Sequence, residues 1–71
     1  MPSKKRLERE AVAALVDLNR RERAGERTGD FYRGTVQPAV EAAVAAGCDR
    51  TGIHADADRA YGRWLIDNAG R

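Results

Sequence analysis

The chain is poor in the residues from which most sites are built. It holds one cysteine, one histidine, two prolines and four aromatic side chains in 71 residues. One cysteine closes no intramolecular disulfide, so a reducing cytoplasm is the expected compartment. A structural zinc site takes about four ligands, mostly Cys or His. Cys48 and His54 are the only two present. His54 and Asp58 lie one helical turn apart and make at most a pair of ligands, so neither a metal nor another cofactor is expected. No apolar run approaches the roughly 18 residues of a membrane span, and no apolar signal core stands near the start, so no membrane partner is expected. Val, Ile and Thr are few and nowhere alternate at period two, which leaves no credible strand. No repeat of 20–50 residues is evident. The stretch Gly25-Glu26-Arg27-Thr28-Gly29 lacks the lysine-serine ending of a phosphate-cradling loop. Cys48 has no partner at a catalytic spacing, which suits a small core plug better than a reactive thiol. The chain is not expected to be an enzyme.

What it has in quantity is alanine and charge. Of the 42% apolar residues, thirteen are alanine. The core is therefore thin, and the single domain spanning 1–71 is expected to be marginal alone, or stabilised by a partner or by self-association. Charged residues make up 34%, with a net charge of only +2. Their placement is uneven. Residues 1–33 carry nine Lys/Arg and six acids; residues 34–71 carry four Arg and five acids.

The apolar spacing predicts an all-α, three-helix bundle, with helices over about 4–24, 36–46, and from either Arg50 or His54 to 68. Ser3 is the expected cap of the first helix. Leu7, Ala11, Leu15 and Leu18 form its buried stripe, widened by Val12 and Val16. Lys4–Glu8, Arg6–Glu10 and Asp17–Arg21 are opposite charges one turn apart. Arg20, Arg21 and Arg23 suit its C-terminal dipole, and Gly25 its left-handed end. Residues 25–35 read as irregular, with Phe31 and Tyr32 folded back on the core. Proline is tolerated only in a first helical turn, so Pro38 sets the second helix to begin near Val36 with Thr35 as its cap. Val36, Val40 and Val44 are its stripe and Gly47 its stop. The third helix carries Ile53, Ala57, Tyr61, Trp64 and Leu65 on one side, and Gly70 is its expected terminator. Trp64 is expected in the core, near Phe31, Tyr32 and Leu15.

One stretch has a recognisable rhythm: Ala45-Ala46-Gly47-Cys48-Asp49-Arg50-Thr51-Gly52-Ile53-His54. It resembles the helix-turn-helix of bacterial tetracycline-repressor-like regulators over about ten residues. The resemblance implies that Gly47 is the turn, Cys48 the plug, Asp49 the cap of a recognition helix and Ile53 its anchor. Arg50, Thr51 and His54 would then face base edges. The chain departs from that pattern at Gly52, which stands where a contacting side chain belongs, and Asp56 and Asp58 lie where phosphates would approach. If 48–52 is instead an ordinary inter-helix loop, the third helix begins near His54. Asp56 and Asp58 then sit in its first turn, where acids favour the helix dipole.

Two classes of function follow. The first is a small regulator of transcription, or an accessory protein of a phage or plasmid, bound to double-stranded DNA. Lys4, Lys5 and Arg6 and the cluster Arg20, Arg21 and Arg23 would hold phosphates. So small a chain covers little DNA, and a homodimer is expected. The second is a non-catalytic helical adaptor or inhibitor of a protein partner, of the size of anti-defence proteins. Its interface would be Phe31, Tyr32, Tyr61 and Trp64, with Trp64 the natural hot spot.

Overall fold

The computed structural model describes residues 2–69 and is an all-α, three-helix bundle with no strand among those residues. Helix α1 spans Lys4–Arg23. Helix α2 is a continuous helical run over 29–45, built from Gly29–Phe31, a π-helical turn at Tyr32–Val36, and Gln37–Ala45. Helix α3 spans Arg50–Asp67.

Both long helices start in the same way. Ser3 and Asp49 have extended backbones, and each side-chain oxygen accepts from the N–H three residues on. Arg6 donates to Ser3 at 3.2 Å and Gly52 to Asp49 at 3.0 Å. Each bond satisfies one of the donors that a helix N-terminus otherwise leaves unmet. Helices α1 and α2 also stop alike. Gly25 and Gly47 take φ of +82° and +102°. In α2, Cys48 N–H reaches back to the Ala43 carbonyl and Gly47 N–H to that of Val44. In α1, Glu26 reaches Arg21 and Gly25 reaches Glu22. This paired bonding closes the last carbonyls and needs a left-handed residue that glycine supplies without strain. Helix α3 ends at Asn68, whose backbone N–H and side-chain amide both donate to the Trp64 carbonyl. Gly70, the expected terminator, lies outside the described residues.

The second helix begins well before the expected Val36. Thr28, not Thr35, precedes it, and the stretch through Gly34 is helical rather than irregular. The π turn shows how Pro38 is accommodated. Proline has no N–H for the carbonyl four residues back, and its ring crowds that carbonyl. One wider turn, closed by Gln37 N–H on the Tyr32 carbonyl, shifts the bonding register just ahead of the proline.

The core is one cluster of Ala11, Ala14, Leu15, Val36, Val40, Ala43, Cys48, Ile53 and Ala57. Helix α1 packs against both others. Helices α1 and α3 run parallel: Lys4 lies beside the Gly47–Cys48 turn, and Arg20 lies over Trp64 at 4.8 Å. Of the α3 stripe, Ile53 and Ala57 are buried, while Tyr61, Trp64 and Leu65 are only half-buried. Trp64 is thus not a core residue. It stacks on Tyr61 at 5.9 Å and lies beneath Arg20.

Gly47→Ala is expected to lower stability by about 1–2 kcal/mol in urea unfolding, because it forces a side chain into the left-handed region. Gly62→Ala, in mid-α3 with open space around it, is expected to raise stability by up to about 1 kcal/mol. Val40→Asp, at a site 4% exposed, is expected to abolish the cooperative transition, since it buries an unpaired charge.

Candidate functional site

The parallel course of α1 and α3 gathers one group of polar residues at their shared N-terminal end. Helix α3 starts at Arg50, with Asp49 as its cap. Arg50, Thr51 and His54 fall within its first turn and a half and are all exposed. Behind them, Gly47 makes the turn, Cys48 is 6% exposed with its Sγ 3.7 Å from the Lys4 carbonyl, and Ile53 is 1% exposed. The Lys4 ammonium joins this end. Its Nζ and Cε lie 3.9 Å from the place a Cβ would occupy at Gly47. Expected opposite Glu8, Lys4 makes no ion pair there among the described residues; Arg6–Glu10 and Arg21–Asp17 form theirs at 3.2 and 3.3 Å. Lys5 is exposed on the same first turn. Two helix N-termini, each carrying roughly half a positive charge, point the same way here.

The end is not purely basic. Arg50 is held by Glu41 of α2 at 2.9 Å. His54 and Arg50 rim a shallow crevice that also takes Tyr32, Gln37 and Glu41, floored by Leu15, Val36 and Val40. Asp58 stands exposed one turn beyond His54, and Asp56 pairs with Arg59.

The second basic cluster lies elsewhere. Arg20, Arg21 and Arg23 sit at the far end of α1, about 24 Å from Lys4 at 1.5 Å per residue. Arg20 covers Trp64. Arg21 lies 4.0 Å from the Phe31 ring centroid and is also held by Asp17 and, at 3.9 Å, Glu26. Arg21, seated on a ring and tied to two carboxylates, has fewer donors left for phosphate.

The four aromatic residues do not form one patch. Tyr61 and Trp64 stack together, Phe31 lies under Arg21, and Tyr32, 45% exposed, turns to the crevice beside Arg50 and His54. Neighbours in sequence diverge because Phe31 and Tyr32 lie about 100° apart around a helix.

A third feature is absent from the sequence reading. An open groove of about 460 Å³ runs along α1 beside α3, with Val12, Ala13, Val16 and Ala60 as its apolar lining. Glu8, Arg9, Asp17, Arg20 and Asp56 form its rim. Val12 and Val16, which widen the core stripe by their spacing, are half-buried: they pack against the core and also line this groove. Among the described residues no three His, Cys, Asp or Glu side chains cluster in a way that would hold a metal ion. Among the same residues no helix is long and apolar enough to cross a membrane.

No family model, curated protein or solved structure matches the chain.

Asp49→Ala removes the cap of α3. It is expected to cost about 1 kcal/mol and to speed amide exchange at Arg50–Gly52 while leaving exchange in α1 little changed.

Proposed function

We propose that this chain is a small, non-catalytic helical module that binds double-stranded DNA through the N-terminal end of α3. The observation that carries this reading is where α3 starts. A helix capped at Asp49 presents Arg50, Thr51 and His54 on its opening turns, the part of a recognition helix that meets base edges in a major groove. The glycine turn and the buried Cys48 and Ile53 support the likeness to a helix-turn-helix. Lys4 and Lys5 stand at the same end as phosphate contacts. Acids among them (Glu41, Asp49, Asp58) moderate the field, so binding on this reading is weak and strongly salt-dependent. Such a module suits a small regulator of transcription, or an accessory protein of a phage or plasmid.

A second reading has its own observation. Arg20 and Arg21 are engaged by Trp64 and Phe31 at the opposite end, where a cation-capped aromatic surface suits a protein partner. On that reading the chain is an adaptor or inhibitor, and Trp64 carries the contact.

Fluorescence anisotropy against random duplex DNA over a salt series tests the first reading. Micromolar binding whose slope counts phosphate contacts supports it; no binding at about 50 mM salt rejects it. Within it, Arg50→Ala is expected to lower affinity for a selected site by about 1–3 kcal/mol with helicity unchanged. Lys4→Ala and Lys5→Ala are expected to weaken all sequences alike and to reduce the salt slope by about one each. Arg23→Ala, at the far end, is expected to leave affinity nearly unchanged. Loss of binding in Trp64→Ala but not in Arg50→Ala would favour the second reading.

A further inference from the structure

The open groove on α1 carries a charge order that reads the same from either direction with the signs reversed. Along one row of residues four apart lie Glu8, Val12, Val16 and Arg20. Along the next lie Arg9, Ala13 and Asp17. All seven line the groove. Each row is apolar in the middle and ends in opposite charges. We propose that this groove is a self-association surface, filled by α1 of a second copy of this chain running antiparallel.

Reversal is what makes the fit. An antiparallel copy brings Glu8 to the level of the partner's Arg20, and Arg9 to the level of the partner's Asp17. Val12 meets the partner's Val16, and Ala13 comes near the two-fold axis. A two-fold interface uses the same patch on both subunits, so it must be complementary to itself; these rows are. A parallel copy would set Glu8 against Glu8 and Arg20 against Arg20 and is excluded by like-charge repulsion. The small side chain of Ala13 at the centre lets the helices approach closely, as row-on-row helix packing requires. Neither Glu8, Arg9 nor Arg20 makes an ion pair within the chain among the described residues, whereas Asp17 already holds Arg21 at 3.3 Å. Of the five rim charges, Asp56 pairs with Arg59 of its own helix and Asp17 keeps a carboxylate oxygen for a second guanidinium, which leaves Glu8, Arg9 and Arg20 free to pair across the axis. Arg20, held over the Trp64 ring, is already positioned at the groove. The apolar strip from Val12 to Val16 is little more than one turn long, and its charged ends extend the contact to about three turns, which places the dimer among weak, salt-sensitive interfaces.

The pairing rests on the groove alone. One consequence rests on the DNA reading: a two-fold axis near residues 13–14 sets the two α3 starts about 30 Å apart along α1 at 1.5 Å per residue. That is near the roughly 34 Å between half-sites one DNA turn apart.

Sedimentation velocity of the full chain without DNA tests the pairing apart from any nucleic acid. The expected result is a concentration-dependent shift from 7.8 kDa toward twice that mass. Ala13→Glu places two like charges at the axis and is expected to weaken the dimer by about tenfold or more. Arg9→Glu is expected to do the same, and the double variant Arg9→Glu/Asp17→Arg to restore association, because the pair is remade with its signs exchanged. Circular dichroism and melting of each variant establish that it is folded. Monomer mass at the highest concentration reached, or a dimer indifferent to Ala13→Glu, or a double variant no better than Arg9→Glu, would overturn the proposal. Each of these results leaves DNA binding by the monomer to be decided by its own titration.

Discussion

Ala11, Ala43 and Ala57, one from each helix, are at most 2% exposed and lie in a single buried cluster. With a methyl group as the only side chain at these positions, the backbones draw close, and much of the cohesion comes from dispersion between helix surfaces rather than from large interlocking side chains. Ile53 and Val36 are the largest side chains wholly shut off from water. A core this lean tolerates neither a charge nor added bulk. It also leaves bigger residues outside: Trp64, Tyr61 and Leu65 are only half-buried, and Ile66 is 77% exposed.

That constraint shapes the surface. Because α1 meets both neighbours through Ala11, Ala14 and Leu15, the valines beside that stripe pack on the core with only part of their surface. Val12 and Val16 end up in a groove with charged rims, available to a second chain. The parallel α1 and α3 likewise decide which charges act together. Lys4, far in sequence from Arg50, arrives beside the turn that launches α3. Arg20 and Arg21 are carried to the other end and drawn onto aromatic rings.

The turn from α2 to α3 links stability to the proposed role. Gly47 in its left-handed conformation closes the end of α2, Cys48 seals the space beneath, and Asp49 opens α3 with its first turn facing solvent. A change that shifts the start of α3 to His54 would remove Arg50 and Thr51 from the helical face while leaving the three-helix core in place. The boundary of one helix thus separates the surface proposed to meet DNA from an ordinary hairpin.

Legible in the chain before any fold are the all-α class, Ser3 as the first cap, the glycine ends at Gly25 and Gly47, and the burial of Val36 and Val40 on one helix and of Ile53 and Ala57 on another. Each is local: apolar period, cap chemistry and the sign of φ are written within a few residues. The tertiary structure decided the rest. The early start of α2 depended on a π turn that reconciles Pro38 with a helix through Gly34, a bonding register that no apolar spacing reports. The start of α3 at Arg50 was one of two boundaries that local pattern allowed. The division of the aromatics, the separation of the two basic clusters and the groove of Val12 and Val16 depended on the relative direction of α1 and α3. Helix direction in a bundle follows from how whole surfaces fit, a sum over contacts distant in sequence that no single stretch of residues contains.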